Sequence, residues 1–291
     1  MSKVNLGDST KGVETLWRYM SLDKFIDLLD TSELFFSSLS SYSQSDPFEG
    51  LLPQVTSKPI GDVFVERIEV LKKEVDKAES YIKGLNDKAT PSQLSALNAA
   101  RQQITTLTDD FNQSYIDVIH SITVNCWHSN DHESEAMWKL YNENHKGIAI
   151  KTSLESLVSA FKDNDDEHEI SIGKVKYIDY FDSSLTKDDC VVDGTISPLL
   201  KRLSFSHENE VRVFISPNVA EGEVLEGRKP LRIKVDLNSL IEGVYISPYA
   251  SGLFTSSVKA ICKKYLIEEQ KVHASGLFSG VEGLTKLVNN S

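Results

Sequence analysis

Residues 208–215 read Glu-Asn-Glu-Val-Arg-Val-Phe-Ile, which combines a β-strand pattern with three charged side chains. The β-branched and aromatic residues of 211–215 are typical of a strand. Because side chains alternate between the two faces of a strand, Glu208, Glu210 and Arg212 share one face. The segment therefore predicts a strand that presents two carboxylates and a guanidinium on the same side.

Further strand patterns flank this segment and are interrupted by helical patterns at uneven intervals. The predicted strands cover residues 15–19, 34–38, 122–127, 148–151, 175–178, 211–215, 231–235, 244–246 and 272–274. The predicted core helices follow Ser21, cover 133–141 and 152–161, and lead from Thr255 or Ser256 to Tyr265. Because strands outnumber core helices in no regular alternation, we expect an α+β fold with a mixed, largely antiparallel sheet and flanking helices.

The segment 62–118 has a different, purely helical pattern. Its first half carries apolar residues at alternating spacings of four and three, as in a coiled coil. A second helix is predicted from Thr90, with Pro91 at the first helical position and Gln93 completing a capping box. We expect an antiparallel helical hairpin at 56–118, inserted into a core domain formed by 1–55 and 119–291. The apolar positions of the first helix are Phe64, Ile68, Leu71, Val75, Ala78, Ile82 and Leu85.

The composition indicates a globular protein of one or two domains. The 291 residues include 31 basic and 43 acidic ones, a formal charge of −12, so duplex nucleic acid is not an expected partner. The cysteines form no Cys-x-x-Cys pair, and His128 and His132 lie in a segment of loop composition, so no metal is expected. Without a leader pattern or a membrane-length apolar stretch, the expected location is the cytoplasm.

Two local clusters near the N-terminus suit ligand binding, and each also has a purely structural explanation. Arg18 lies between Trp17 and Tyr19, where it could bind a phosphate or carboxylate, or point outward from a strand. Asp46 and Glu49, in an Asp-Pro-Phe-Glu segment, could border a ligand site or form a turn. The residues alone leave both alternatives open.

Two further clusters lie on the predicted 133–141 helix and on the strand quoted above. Trp138 and Tyr141 share one helix face, so they could stack on a flat ring or pack in the core. Glu208, Glu210 and Arg212 could form a solvent-exposed ladder of ion pairs. They could also form a catalytic pair in which one carboxylate stabilises positive charge at a sugar carbon.

The order of these clusters resembles a bacterial family catalogued as domain of unknown function 2971. The similarity extends over nearly the whole chain except 56–118, with Trp127 in place of the usual Phe and His128 inserted before Ser129. The segments that resemble the family are 16–19, 34–37, 46–49, 126–129, 137–141, 145–147, Lys201, 208–212 and 244–250.

The same order more loosely resembles that of the ADP-ribosyltransferases. By this resemblance Arg18 would hold the phosphate or ribose of NAD, Glu210 would contact the ribose near the scissile bond, and Glu208 would orient the acceptor. The central Ser-Thr-Ser of many such enzymes is absent, with Ser129 in its place. The implied NAD-binding set is Arg18, Tyr19, Trp127, Trp138, Tyr141 and Arg212, and the implied catalytic set is Glu208 and Glu210.

Two functions follow from these patterns. The first is an ADP-ribosyltransferase or NAD glycohydrolase, with NAD as its substrate. The second is a non-catalytic ligand-binding or interaction module that uses the 62–118 hairpin to contact a protein partner or a second copy. We expect Arg18, Trp138, Tyr141 and Glu210 to line one cleft if the first is correct.

Overall fold

A computed structural model describes residues 4–85, 88–141, 145–161, 168–217 and 229–281. The strands are β1 (Val4–Leu6), β2 (Thr15–Ser21), β3 (Glu33–Ser38), β4 (Thr123–Ser129), β5 (Gly147–Ser153), β6 (Ile170–Lys174), β7 (Lys176–Ile178), β8 (Leu200–Arg202), β9 (Glu210–Ile215), β10 (Leu231–Lys234), β11 (Gly243–Ile246) and β12 (Val272–Ala274). The helices are α1 (Leu22–Thr31), α2 (Gln54–Gly84), α3 (Pro91–Ser121), α4 (Glu135–Tyr141), α5 (Leu154–Ala160), α6 (Leu237–Leu240) and α7 (Gly252–Lys264).

One large mixed sheet organises the core and confirms the expected α+β fold. Its main path runs β1-β6-β9-β4-β2-β5-β11-β12, with β3 and β10 branching from β4. The outer pairs β1–β6 and β11–β12 are parallel, and the other pairs of this sheet are antiparallel. The short strands β7 and β8 form a separate parallel pair.

The sheet is forked beside β4. One end of β4 pairs with β2 through Leu16 and Trp17, and the other end pairs with β3 through Ser37 and Ser38. Between these ends, no strand in the described part of the chain pairs with residues 125–127 on this side. Because β2 continues along β5 and β3 continues along β10, the two strands diverge from β4 and leave an opening between them. We call this opening the fork.

The two faces of the sheet pack against different apolar cores. In β9, Val211 and Val213 join the main apolar core, whereas Phe214 joins a second core on the opposite side. The main core also receives side chains from α1, α5, α6 and α7. Since Glu210 and Arg212 alternate with Val211 and Val213, their side chains lie on the face of Phe214, away from the main core.

The sequence predicted most elements at nearly correct positions. Every strand expected from the pattern is present, with ends that differ by a few residues, and the core helices α1, α4, α5 and α7 are also confirmed. The pattern missed the short strands β1, β6 and β8. It was also wrong at His128, which was expected in a loop but belongs to β4, opposite Glu210 of β9.

The two 31-residue helices α2 and α3 form the long helical pair that the apolar spacing predicts. Phe64 stacks on Phe111 with 4.0 Å between ring centroids, and Glu79 pairs with Arg101. These contacts join early residues of α2 to late residues of α3, so the helices are antiparallel. Thr90 and Gln93 form the predicted capping box, whereas the turn residues 86–87 lie outside the described residues. No described helix is long and apolar enough to cross a membrane.

The base of this hairpin is packed into the core, while its outer part is not. Tyr115 packs against the second core, and its hydroxyl oxygen accepts a 2.9 Å hydrogen bond from the Leu52 N–H. Beyond the base, Ile68 and Leu97 are the buried apolar side chains of residues 66–109. The division at 56–118 therefore stays a prediction whose boundary a deletion series can locate.

Replacing residues 66–109 by a short Gly-Ser bridge is expected to leave a folded core. This deletion keeps the Phe64–Phe111 stack and Tyr115, so it removes no member of the apolar core clusters. The thermal unfolding of this shorter deletion variant, monitored by circular dichroism, should stay cooperative. The longer deletion of 62–118 removes Tyr115 and should melt at a lower temperature. An aggregated or non-cooperative product of the shorter deletion would show that the outer hairpin is part of the core.

Candidate functional site

Five charged side chains lie together on the face of β9 that also carries Phe214 and the second core. We call Glu49, Lys201, Glu208, Glu210 and Arg212 the buried charge cluster. Four of them have at most 7% of their surface exposed, and the Glu208 side chain is 15% exposed. Buried charges are stable only when they are paired and hydrogen-bonded, so this cluster must satisfy its charges internally.

Arg212 is the centre of the cluster. Its Nε and Nη2 atoms bond Oε2 of Glu210 at 2.8 and 2.7 Å. Its Nη1 atom donates to Oε1 of Glu49 and to the carbonyl oxygen of Pro198, both at 2.7 Å. The guanidinium thus holds two carboxylates from distant parts of the chain in fixed positions, which is the geometry that a planar fork of donors favours.

Lys201 connects the same carboxylates from the other side. Its Nζ atom contacts Glu208, and it lies 3.5 Å from Oε2 of Glu49 and 3.7 Å from Oε1 of Glu210. With all five groups ionised, the cluster carries three negative and two positive charges. A single proton on one carboxyl group would make it neutral.

The surroundings shift the pKa values of Glu208, at the end of the 3-10 helix Leu203–Glu208, and of Glu210, the first residue of β9, in opposite directions. Burial and the charge of Glu210 raise the pKa of Glu208, in spite of its contact with Lys201. Burial acts against ionisation of Glu210 as well, but the charges of Arg212 and Lys201 outweigh it and lower the pKa of Glu210. A hydrogen bond from Glu208 also lowers the pKa of Glu210. Of the two carboxyl groups, Glu208 therefore binds a proton more readily, and Glu210 is favoured as the anion.

These contacts decide between the two explanations of the Glu208, Glu210 and Arg212 set. The interpretation as a solvent-exposed ladder of ion pairs is wrong, because Arg212 is 1% exposed and Glu210 is 7% exposed. The spacing of alternate residues indicated a shared face, but it could not show that β9 is central and covered on both faces. The structural explanation of Asp46 is confirmed, since its carboxylate accepts from the Phe48 N–H at 3.0 Å and pairs with Arg202.

A pocket of about 390 Å³ occupies the fork and ends at the buried charge cluster. This volume is within the range of sites that enclose small molecules, about 300–1,000 Å³. Strands β2, β3, β4 and β9 contribute to its wall, together with α1 and α4. The lining includes Trp17, Arg18, Tyr19, Met20, Lys24, Asp27, Leu28, Glu33, Leu34, Phe35, Ser37, Tyr42, Cys126, Trp127, His128, Met137, Tyr141, Glu208, Glu210 and Arg232.

Arg18 supplies a positive charge inside this pocket. Its Nη1 atom donates a 2.6 Å hydrogen bond to the carbonyl oxygen of Cys126. Cys126 lies in the part of β4 that pairs with neither β2 nor β3. Its guanidinium carbon lies 5.8 Å from the ring centroid of Trp127. Among the described residues, no carboxylate forms an ion pair with Arg18. The remaining donors of this guanidinium are therefore suited to an anionic ligand.

The pocket brings together most of the residues proposed from sequence. Arg18, Tyr19, Trp127, Tyr141, Glu208 and Glu210 all line it. Trp138 does not line it, because its ring is fully buried behind Tyr19 at 4.9 Å in an edge-on contact, with its Nε1 atom bonded to Glu133. Arg212 does not line it either and contacts the pocket only through Glu210.

Two lining residues of β4 had no role in the sequence expectations. Burial, followed by the charge of Glu210, raises the pKa of the Cys126 thiol to about 12, so this cysteine stays protonated at neutral pH. His128 is 4% exposed, with Nδ1 2.5 Å from the carbonyl oxygen of Glu208, and burial lowers its pKa. Extending the predicted strand by two residues past Trp127 would have placed His128 in β4. Within the described ranges, no three His, Cys, Asp or Glu side chains form a group suited to a metal.

Comparison with known proteins gives one match. Residues 137–213 match the model of a family described as a protein of unknown function, DUF2971. The matched segment contains Tyr141, Lys201, Glu208 and the first residues of β9 through Val213, whereas Arg18 and Glu49 lie outside it. No curated protein and no solved structure has a significant match to the chain.

Proposed function

We propose that the protein is an enzyme that cleaves the glycosidic bond of a nucleotide, with NAD as its substrate. One observation carries this proposal: two carboxyl groups with pKa values shifted in opposite directions lie at the end of a pocket that also contains Arg18. A pair of this kind provides one group that moves a proton and one that remains an anion, which is the arrangement used in glycosidic hydrolysis.

The pocket suits a ligand that has both flat rings and phosphate groups. Arg18 would hold a phosphate through its free donors, while Tyr19, Trp127 and Tyr141 provide aromatic surface around it. Lys24 adds positive charge at the α1 side, whereas Arg232, 5.5 Å from the Phe35 ring, already pairs with Asp27 of the same lining at 2.8 Å. The protein is acidic overall, so these local cations are what would attract an anionic ligand.

In the proposed reaction the bond between the ribose anomeric carbon and the nicotinamide nitrogen breaks, and its electron pair leaves with neutral nicotinamide. The carboxylate of Glu210 stabilises the positive charge that develops on the ribose. A water molecule, or a hydroxyl group of an acceptor, then bonds to the anomeric carbon. Its proton passes to Glu208, which must be ionised at that moment. The products are nicotinamide, a proton and either ADP-ribose or an ADP-ribosylated acceptor.

Incubation of the purified protein with NAD tests this proposal directly. Label in the nicotinamide measures release, and label in the adenylate measures transfer to protein or nucleic acid in an added cell lysate. Release without transfer would identify a glycohydrolase, and transfer would identify an ADP-ribosyltransferase. The absence of both release and transfer would exclude the proposed cleavage, and calorimetry then shows whether NAD binds without being cleaved.

Replacing Arg18 by alanine is expected to weaken NAD binding by roughly tenfold or more, because it removes a charge-assisted hydrogen bond to phosphate. Isothermal titration calorimetry of wild type and Arg18→Ala measures this change. Arg101→Ala is the matched control, since Arg101 pairs with Glu79 on the distant hairpin and should leave affinity unchanged. Equal affinity for wild type and Arg18→Ala would exclude Arg18 from the binding site.

Binding without turnover is the alternative function. It is favoured by the pairing of Glu210, whose charge already interacts with Arg212 and Lys201 and is therefore partly neutralised before any ribosyl cation forms. In that case NAD or a related nucleotide would bind and raise the melting temperature, while nicotinamide release would be absent. The two labelled-NAD readouts separate this outcome from the enzymatic one.

A further inference from the structure

The outer hairpin has an apolar groove that its own two helices leave uncovered. The groove has a volume of about 460 Å³. We call it the hairpin groove. It is lined by Leu71, Glu74, Val75, Ala78, Tyr81, Ile82, Gln93, Ala96, Leu97, Ala100, Gln103 and Ile104.

Exposed apolar side chains extend the groove along the same side of the hairpin. Val63 and Val70 precede Tyr81 by 18 and 11 residues, which places all three on one side of α2. They are 71%, 55% and 65% exposed. Leu107 follows Ala96 by 11 residues and lies on the corresponding side of α3. One side of the hairpin thus carries an apolar surface that the described protein does not cover.

The opposite side of the hairpin is charged. Lys72, Glu79 and Lys83 lie seven and four residues apart on α2, away from the groove. Lys83 pairs with Glu79 at 2.8 Å, and Arg101 of α3 pairs with the same carboxylate. A helix pair in water needs only one apolar side, facing its partner helix. Packing within the described part of the chain does not explain the second apolar side.

We propose that two copies of the protein associate through this side of the hairpin and form a four-helix bundle. A twofold axis would place each groove against the other, so that Val63, Val70 and Tyr81 of one copy meet the same surface of its partner. Self-complementary contacts of this kind are the usual way in which identical chains associate. This proposal does not depend on the enzymatic function.

The size of the surface is sufficient for a specific dimer. Residues 63–81 of α2 span about 28 Å, and two adjacent helices are about 20 Å wide, which gives roughly 600 Å² per copy. Two copies would bury on the order of 1,200 Å², the lower end of the range for specific interfaces. A bundle of four helices would also cover the apolar residues that a two-helix hairpin exposes.

The charge of the groove favours a second copy over a foreign partner. Glu74 is the charged member of the described groove lining. A partner selected by a protein with a net charge of −12 is expected to present basic residues. The carboxylate of Glu74 already pairs with Lys77 at 2.9 Å, so it is not free to bind the basic residues of such a partner, whereas a second copy presents the same apolar residues.

Light scattering coupled to size exclusion, over a dilution series of the full-length protein, tests the proposal. We expect twice the mass of one chain for the wild type and the mass of one chain for Val70→Lys. Val65→Lys is the matched control, because Val65 is 52% exposed on the opposite side of α2 and its replacement should leave the dimer intact. Circular dichroism of each variant verifies that its helices are formed.

Three outcomes would overturn the inference. A wild-type monomer at the highest concentration would exclude self-association. A Val70→Lys dimer would place the interface elsewhere on the protein. If both Val70→Lys and Val65→Lys were monomers, the added charge itself, rather than its place in the groove, would explain the loss of the dimer. The labelled-NAD assay of the monomeric variant is independent, and we expect its activity per chain to be unchanged.

Discussion

Replacing Arg212 by methionine is expected to destabilise the protein by about 3–5 kcal/mol, the usual cost of leaving a buried charge without its partner. In the wild type, Arg212 pairs with Glu49 and Glu210 at 2.7 Å. After the change, Lys201 is the remaining cation of the buried charge cluster for these carboxylates and Glu208. Thermal and urea unfolding of Arg212→Met and wild type measure the difference.

Arg232→Met is the matched control for this experiment. Arg232 pairs with Asp27 at 2.8 Å, but both side chains are more than 40% exposed. Exposed ion pairs contribute about 0–1 kcal/mol, so this variant should unfold close to wild type. Equal stability of the two variants would show that the buried charge cluster is not stabilising.

The pH dependence gives a second measure of the Arg212 effect. Burial acts against ionisation of Glu210, so the loss of this cation is expected to raise the pKa of Glu210 in the folded protein above its unfolded value. Groups of that kind destabilise the fold when ionised and cease to do so as the pH falls through the raised values. The stability gap between Arg212→Met and wild type should therefore narrow as the pH is lowered.

Replacing Glu210 by glutamine is expected to lower kcat for nicotinamide release by on the order of 10²–10³-fold, because it removes an anion that acts in the transition state. NAD affinity should change little, which separates this effect from loss of binding. The variant should still fold, since the cluster then has two carboxylates and two cations. Steady-state kinetics and calorimetry provide the two measurements.

In Glu210→Gln, the pH dependence of nicotinamide release should also be shifted. Glu208 must be ionised to accept a proton, and its pKa is raised by burial and by the charge of Glu210. Activity should therefore fall as the pH drops through that raised value, and Glu210→Gln should move this acid limb to lower pH. Glu33→Gln, a carboxylate in the same pocket but outside the cluster, is the control. An acid limb that does not move in Glu210→Gln would exclude Glu208 as the base.

The sequence was most informative where local patterns decide the structure. The alternation in 211–215, the apolar spacing of 64–85 and the Thr90 capping box each identify an element without knowledge of its neighbours. Short strands such as β8, with three residues, have no periodicity to detect. They form because neighbouring strands provide their hydrogen bonds.

The candidate site was predictable in its residue types but not in its burial. The spacing of Glu210 and Arg212 correctly gave a shared face of β9, but the strand prediction was wrong at Glu208, which ends the short 3-10 helix Leu203–Glu208. Whether that face is exposed depends on the chain segments that cover it, and the one that includes Glu49 lies far away in sequence. Trp138 illustrates the same limit, because helical spacing alone does not distinguish a residue behind Tyr19 from one beside it.

Around the fork, some parts of the pocket wall tolerate substitution better than others. The carboxylate end is built on β4, β9 and the buried charge cluster, where a substitution costs fold stability. Much of the remaining wall belongs to one continuous stretch, Thr15–Ser38, which includes the exposed side chains of Lys24 and Phe35. Leu16, Phe25 and Phe36 of the same stretch are fully buried in the main core, so its exposed side chains are the ones that can change without loss of stability. Substitutions at Lys24 and Phe35 are therefore expected to change which molecule fits while the carboxylate end keeps its geometry.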